Sequence, residues 1–131
     1  TMRVLAVTDW ITPDLCMRNP DALFLFGDNE QRRGKGGQAV IRDCPNAHGI
    51  RTKVAPHRSA SAYWSDDNYD DNVAMIDEDI DAALATGKSL IVHFQNRRHG
   101  KILSMGTGRS ALPTKAPRTY RYLCERIEVI E

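Results

Sequence analysis

One glycine-rich stretch has residue types and spacing suited to binding a phosphate or a ribose. A short apolar run stops at Gly27, and the polar pair Asp28 and Asn29 follows it. A basic loop then leads to more glycines and to a segment that can start a helix, in the order Gly34, Gly36, Gly37, Gln38. A glycine-rich turn between a strand and a helix lets backbone N–H groups approach an anion closely. The stretch therefore predicts a cradle for a phosphate or a ribose group.

The same stretch is equally compatible with a tight strand-to-helix connection that carries a solvated basic face. It does not end in Gly-Lys-Ser/Thr, so it is not a P-loop, and its glycine spacing is not the dinucleotide-binding fingerprint. The choice between a cradle and a plain connection depends on what else the fold brings to this place.

The elements that must position these residues alternate between strands and helices, which predicts an α/β fold with a mixed, largely parallel sheet. Apolar runs predict strands at residues 2–7, 22–26, 50–54 and 89–94. Helical patterns predict helices that begin at Pro13 and Gln38 and helices that span 69–85 and 116–127. Polar composition predicts a turn at 46–49 and exposed loops at 57–64 and 95–101.

A second glycine-bearing loop lies late in the chain, with the sequence Gly106-Thr107-Gly108-Arg109. Like the first loop, it follows an apolar run. In sheets of this class, ligands bind beyond the carboxyl ends of the strands, where the connecting loops gather. We therefore expect the two glycine-bearing loops to converge on one cleft.

Composition describes one globular domain over residues 1–131, with 41% hydrophobic residues, 27% charged residues and a formal net charge of +1. Such a balance creates no global attraction to nucleic acid or to a membrane. No run has the length of a transmembrane helix and no signal region is apparent. The three cysteines, Cys16, Cys44 and Cys124, form no zinc pattern and indicate reduced thiols. We expect a cytoplasmic protein without metal, cofactor or membrane partner.

The acidic run between residues 66 and 81 has two readings. Apolar residues recur within it at helical spacing, which predicts an amphipathic helix whose acids form a solvated face. The acids could instead ligate a metal, although their spacing is not that of a calcium loop.

The order of these motifs resembles the macrodomain family, an ADP-ribose-binding α/β module. The matching pieces are Asp21-Ala22-Leu23-Phe24 with Asn29, Gly34 to Ile41, Ile50-Arg51-Thr52, Met105 to Gly108, Leu112-Pro113 and the helix after Ala116. The chain is more similar still to uncharacterised macrodomain-like proteins encoded by phages. That likeness rests on Phe-Gly-Asp-Asn, a Gly-x-Gly-Gly-Gln-Ala loop and Gly-Thr-Gly. A phage-encoded protein would act in the host cytoplasm.

This resemblance implies a three-layer fold and a ligand, ADP-ribose or a related phosphate-bearing nucleotide, held between the two glycine-rich loops. It leaves open whether the ligand is hydrolysed. In a hydrolytic version, Asn29 would orient a ribose hydroxyl or a water and Asp28 would be the general base, so Asp28→Asn would remove turnover while keeping affinity. The implied ligand-binding residues are Gly27, Gly34, Gly36, Gly37, Gln38, Gly106, Thr107, Gly108 and Arg109.

A non-catalytic interaction protein is the alternative function. Its partner would be a host protein or a nucleic acid, contacted through the pairs Arg32-Arg33 and Arg97-Arg98. Three aromatic residues, Tyr63, Trp64 and Tyr69, either stack on a base or pack a loop against the core. His93 falls within a predicted buried strand and is interpreted as a hydrogen-bonded core histidine.

Overall fold

The computed structural model describes residues 1–130 and shows an α/β fold built on one six-stranded sheet. The strands are β1 (Met2–Val7), β2 (Ala22–Asn29), β3 (Ala47–Lys53), β4 (Ser89–Arg97), β5 (Gly100–Leu103) and β6 (Ile127–Val129). The helices are α1 (Pro13–Arg18), α2 (Tyr69–Ala85), α3 (Leu112–Lys115) and α4 (Pro117–Arg126). Short 3₁₀ helices lie at Gly37–Ile41, Ala60–Ala62 and Asp66–Asn68. The predicted fold class is confirmed.

The strand order is β3-β2-β4-β1-β6, and β5 pairs with the far end of β4. The pairings of β2 with β3, of β4 with β2 and β1, and of β1 with β6 are parallel, whereas β4 and β5 form an antiparallel hairpin. The carboxyl ends of β1, β2 and β4 therefore lie at the same edge of the sheet. Loops that follow them meet there.

Helices cover both faces of the sheet, which gives three layers. Side chains alternate along a strand, so Leu23 and Leu25 of β2 point to one face and Phe24 and Phe26 to the other. The leucines join a core cluster with residues of α2 and α4. The phenylalanines pack with residues of α1 and with Ile41 of the first 3₁₀ helix.

The longest helix, α2, has the predicted bounds, Tyr69–Ala85. Ile76, Ile80 and Ala83 are buried along one of its faces, at the spacing of an amphipathic helix. Gly87 follows its end with a φ of +67°, a left-handed conformation that glycine adopts at little cost. Among residues 1–130, no helix combines the length and the apolar character needed to cross a membrane.

The glycine-rich stretch differs from prediction in two ways. Strand β2 continues past Gly27 to Asn29, because Gly27 and Asp28 pair with Ile50 and Arg51 of β3. The segment predicted as an α-helix from Gln38 is a 3₁₀ helix at Gly37–Ile41. Short connecting segments often take this tighter form, since they are too brief for a cooperative α-helix.

Three segments predicted as turns or loops carry more structure than expected. Ala47 already pairs with Phe24, so β3 starts inside the predicted turn at 46–49. The polar residues 95–101 form much of the β4–β5 hairpin. Within the predicted exposed loop at 57–64, Trp64 is buried and its Nε1–H donates to Glu30 Oε2 at 3.0 Å. Each of these segments is ordered by contacts with a neighbouring strand or with a residue distant in sequence.

The acidic run follows the prediction of a solvated helix face except at three positions. Asp77 is partly buried and accepts hydrogen bonds from the Tyr122 hydroxyl and from Arg126 Nη1, both at 2.5 Å. Asp79 is buried. Asp66 accepts hydrogen bonds from the backbone N–H groups of Arg118 and Thr119, at 2.9 and 3.0 Å, and so caps the first turn of α4. In residues 1–130, no cluster of three or more His, Cys, Asp or Glu has an arrangement that could hold a metal ion.

Candidate functional site

The two glycine-bearing loops meet across one cavity of about 180 Å³ at the carboxyl edge of the sheet. Eight of the nine sequence-predicted ligand residues line it, namely Gly27, Gly36, Gly37, Gln38, Gly106, Thr107, Gly108 and Arg109. Gly34 instead lines a smaller neighbouring cavity of about 70 Å³. We call the space between the two glycine-bearing loops the main cavity. The expected convergence of the two loops is therefore present in the fold.

The loop after β5 is fixed to the ends of β2 and β3 by close contacts. The hydroxyls of Thr52 and Ser110 are hydrogen-bonded at 2.6 Å, and Thr52 Oγ1 also donates to the Asp28 carbonyl at 3.3 Å. Gly106 has a φ of +83°, and a Cβ there would lie 2.7 Å from Leu112 Cδ1. The loop therefore requires glycine at Gly106 both for its backbone conformation and for its packing.

Arg109 crosses from the second loop to the first. A Cβ placed on Gly36 would lie 2.7 Å from both Cζ and Nε of Arg109, so the guanidinium rests directly on the Gly36 backbone. Gly36 itself has an ordinary φ of −76°. Glycine is therefore needed at this position for space and not for backbone conformation, because it leaves room for the Arg109 side chain.

The Gln38 side chain makes structural hydrogen bonds within the protein. Its amide accepts from the Ile11 backbone N–H at 3.1 Å and donates to the Ile11 carbonyl at 2.8 Å. These bonds tie the segment after β1 to the first glycine loop. Trp10, which precedes Ile11, lines the main cavity and keeps 51% of its surface exposed.

Asp28 is held by arginines and does not line the main cavity. Its carboxylate accepts from Arg42 at 2.5 and 3.1 Å and from Arg32 at 3.2 Å, and the side chain is 2% exposed. Its Oδ1 also accepts from the Asn29 backbone N–H at 2.8 Å. The predicted general base is thus a buried carboxylate with ionic partners, at the wall of the smaller cavity.

Asn29 organises the chain reversal that follows β2. Its amide nitrogen donates to the Arg33 carbonyl at 2.8 Å, and its amide oxygen accepts from the Gln31 backbone N–H at 3.1 Å. These bonds use both ends of the side chain within the loop. Asn29 lines the smaller cavity and not the main one.

The ion pairs at Asp28 extend into a network around Asp79. Arg32 bridges Asp28 and Asp79, and Arg51 donates to Asp79 from its backbone N–H at 2.7 Å and from Nε at 3.0 Å. Burial alone would raise the pKa of Asp79, but the hydrogen bonds from Arg51 and Arg32 outweigh burial and lower it. Arg32 adopts a φ of +54°, a conformation that these two ion pairs stabilise.

His93 is hydrogen-bonded on both ring nitrogens, as interpreted from sequence, but it also lines the main cavity. Nε2 lies 3.1 Å from the Thr8 carbonyl, which can only accept, so this nitrogen carries the proton. In the neutral ring, Nδ1 then accepts from the Ser104 hydroxyl at 2.7 Å. Ser104 also lines the main cavity. The pair could therefore remove a proton from a group bound there.

The remaining aromatic and arginine predictions do not meet at the main cavity. Tyr63, Trp64 and Tyr69 are absent from its lining. Arg97 Nη2 donates to the Gln95 side chain in the β4–β5 hairpin, and Arg32 is committed to its ion pairs. The tight pairing of Arg32 leaves it poorly suited to the phosphate contact that the interaction reading assigned to it.

Sequence reasoning missed Trp10, Ser104 and Ser110 as parts of the cavity wall. Trp10 follows the first predicted strand, so the rule that ligands bind at strand carboxyl ends could have found it. Ser104 and Ser110 flank the second glycine loop and carried no separate signal.

Comparison with known proteins finds one family model that matches this chain, over residues 6–126, and it describes a family of unknown function, DUF7831. Neither the curated proteins nor the solved structures contain a match. The matched span includes β2, both glycine-bearing loops and every residue named above as lining the main cavity. The chain therefore belongs to the DUF7831 family.

Proposed function

We propose that the protein binds ADP-ribose or a related phosphate-bearing nucleotide in the main cavity. The observation that carries this proposal is the meeting of two glycine-rich loops across one cavity, with the Arg109 guanidinium resting on Gly36. Guanidinium groups and exposed backbone N–H groups are the donors that phosphate oxygens prefer.

The second loop supplies unused donors. Within residues 1–130, the backbone N–H groups of Gly108, Arg109 and Ser110 donate to no protein acceptor. Successive free N–H groups in a turn form a concavity that binds anions. A phosphate group between the loops would accept from these groups and from the Arg109 side chain.

The apolar part of the cavity wall suits a base or a sugar. Trp10, Phe26 and Val92 contribute apolar surface to its lining. Trp10 is half-exposed and packs edge-on against His93, with ring centroids 5.5 Å apart. An exposed indole at a cavity mouth offers a stacking surface for a planar base.

The binding test compares Gly36→Ala with the unchanged protein by calorimetric titration of ADP-ribose and AMP. We expect the unchanged protein to bind and Gly36→Ala to weaken binding roughly tenfold, because the new methyl displaces the arginine that contacts the phosphate. Gly36 is a cleaner position than Gly37, whose φ of +59° makes any side chain strained. The clash falls on the end of a flexible side chain, so the variant should fold.

Arg109→Gln completes a double-mutant cycle. If Gly36→Ala acts through Arg109, the double variant binds no more weakly than Arg109→Gln alone. Additive losses would contradict that route, and failure of the unchanged protein to bind either nucleotide would overturn the proposed function.

A hydrolytic form of this function is favoured by one observation, the hydrogen bond from Ser104 to His93 inside the cavity. A general base must reach the proton that it removes, directly or through one bridging group. His93 meets this condition in the main cavity, whereas Asp28 is occupied by Arg42 and Arg32.

We expect His93→Gln to lower the rate of product release from ADP-ribose by at least about a hundredfold, a usual contribution of a positioned base. Chromatographic separation of products after incubation measures the rate, and calorimetry checks that affinity is retained. Equal rates in the two proteins would contradict this role of His93. A wild-type protein that binds ADP-ribose and releases no product is a binder without turnover.

A further inference from the structure

Lys53 is a buried cation without a carboxylate partner in the described part of the chain. Its side chain donates from Nζ to the His57 carbonyl at 2.8 Å and lies 4.5 Å from the centroid of the Tyr63 ring. The residue is 5% exposed, and within residues 1–130 it takes part in no ion pair. An ammonium group has three hydrogens to donate, and one is used here. A buried charge in this condition is costly unless an anion joins it.

The surroundings of Lys53 increase the free-energy cost of burying its charge. A groove of about 440 Å³ opens beside the lysine, with the lining Lys53, Pro56, Arg58, Tyr63, Gly108, Arg109 and Ala111. The lining holds three cations and no acidic side chain. Burial lowers the pKa of Lys53, and the positive charges of Arg109 and Arg58 lower it further. A fourth cation, Lys115, lies 4.6 Å from the Tyr63 ring centroid.

This groove shares part of its wall with the main cavity. Gly108 and Arg109 line both spaces, and Lys53 and Arg109 also line the smaller cavity. A ligand held between the glycine loops would therefore meet the groove on passing Arg109. The cationic surface is an extension of the candidate site rather than a separate patch.

We propose that Lys53, Arg58 and Arg109 form a second anion-binding subsite, which takes a further phosphate group of the nucleotide bound between the glycine loops. The proposal rests on the proposed function for the nucleotide, but the anion subsite itself does not. A phosphate group has several acceptor oxygens and can satisfy the free Lys53 hydrogens and an arginine fork together. The substrate class is thus a nucleotide that carries more than one phosphate.

The test uses AMP, ADP, ATP and inorganic pyrophosphate, titrated calorimetrically at fixed ionic strength. The proteins are the unchanged chain, Lys53→Met and, as a matched control, Arg98→Gln, which removes an exposed arginine outside the groove. We expect affinity in the unchanged chain to rise by roughly tenfold or more from AMP to ATP, and pyrophosphate to bind alone. Lys53→Met should lose the gain from AMP to ATP and the binding of pyrophosphate. Arg98→Gln should keep both.

Urea unfolding separates this role from a structural one. Methionine fills the space of the lysine stem without its charge, so Lys53→Met should be at least as stable as the unchanged chain when no anion is present. Pyrophosphate should then raise the unfolding midpoint of the unchanged chain and leave that of Lys53→Met unmoved.

The outcomes distinguish the anion subsite from the proposed nucleotide-binding function. Pyrophosphate binding without nucleotide binding would overturn the proposed function and support the subsite. Equal affinities for AMP and ATP, with no pyrophosphate binding, would overturn the subsite and leave the nucleotide proposal standing. A Lys53→Met variant that binds ATP and pyrophosphate like the unchanged chain would also overturn the subsite.

Discussion

Gly49→Ala should lower the free energy of unfolding by about 3 kcal/mol or more, the largest effect that we expect from adding a single methyl group. A Cβ on Gly49 would lie 2.8 Å from Asp28 Cβ and 2.9 Å from Asp28 Cγ. These atoms belong to the neighbouring strand, so the clash cannot be relieved by a flexible side-chain end. Relief requires that the carboxylate leave Arg42 or that β2 and β3 separate.

Urea unfolding followed by circular dichroism measures this loss. Gly108→Ala is the matched control, because a Cβ there meets no atom within 4 Å, and we expect it to change stability by less than about 0.5 kcal/mol. Similar midpoints for the two variants would show that β2 and β3 adjust to the methyl group.

Asp28→Asn is expected to destabilise the fold by about 3 kcal/mol, because it leaves the Arg42 guanidinium, which is 17% exposed, without the carboxylate that pairs with it. Typical domains have only about 5–15 kcal/mol of stability, so the variant should be visibly less stable at room temperature. A pure general base would behave differently, since its replacement by the neutral isostere would remove turnover and leave the unfolding midpoint unchanged.

Two further variants make this prediction specific. Arg42→Met should destabilise the protein to a similar degree, because Arg42 provides the 2.5 Å partner of Asp28 and is 17% exposed. Asp43→Asn removes an exposed acid that pairs with Lys35, and surface pairs contribute at most about 1 kcal/mol. A stable Asp28→Asn variant that binds nucleotide and has lost turnover would restore Asp28 as the base.

Local sequence signals were enough to predict much of the fold. The recurrence of apolar residues at helical spacing between Val73 and Leu84 predicted α2, since amphipathic periodicity is a property of the segment itself. The convergence of the two glycine loops followed from a topological rule for parallel sheets and needed no knowledge of individual contacts. Both predictions depend on features that lie within one element or within the order of elements.

The parts that sequence could not predict depend on partners far along the chain. Strand β2 extends to Asn29 because β3 pairs with it. Asp28 resembles a base in the sequence, and the guanidinium of Arg42 that occupies it lies 14 positions away. The burial of Lys53 has no local signal, since a lysine at the end of a strand usually reaches solvent. The extent of β2, the ion pair of Asp28 and the burial of Lys53 all depend on contacts formed only in the folded protein.

The place of β1 within the sheet has a consequence for the order of events during synthesis. Its two neighbours, β4 and β6, begin at Ser89 and Ile127, so β1 has no strand to pair with until much later residues leave the ribosome. Meanwhile β2 and β3 are close in sequence and can form their ladder first. A chain that stalls before β4 would therefore expose the backbone of an apolar strand, which is the condition that favours chaperone capture or aggregation.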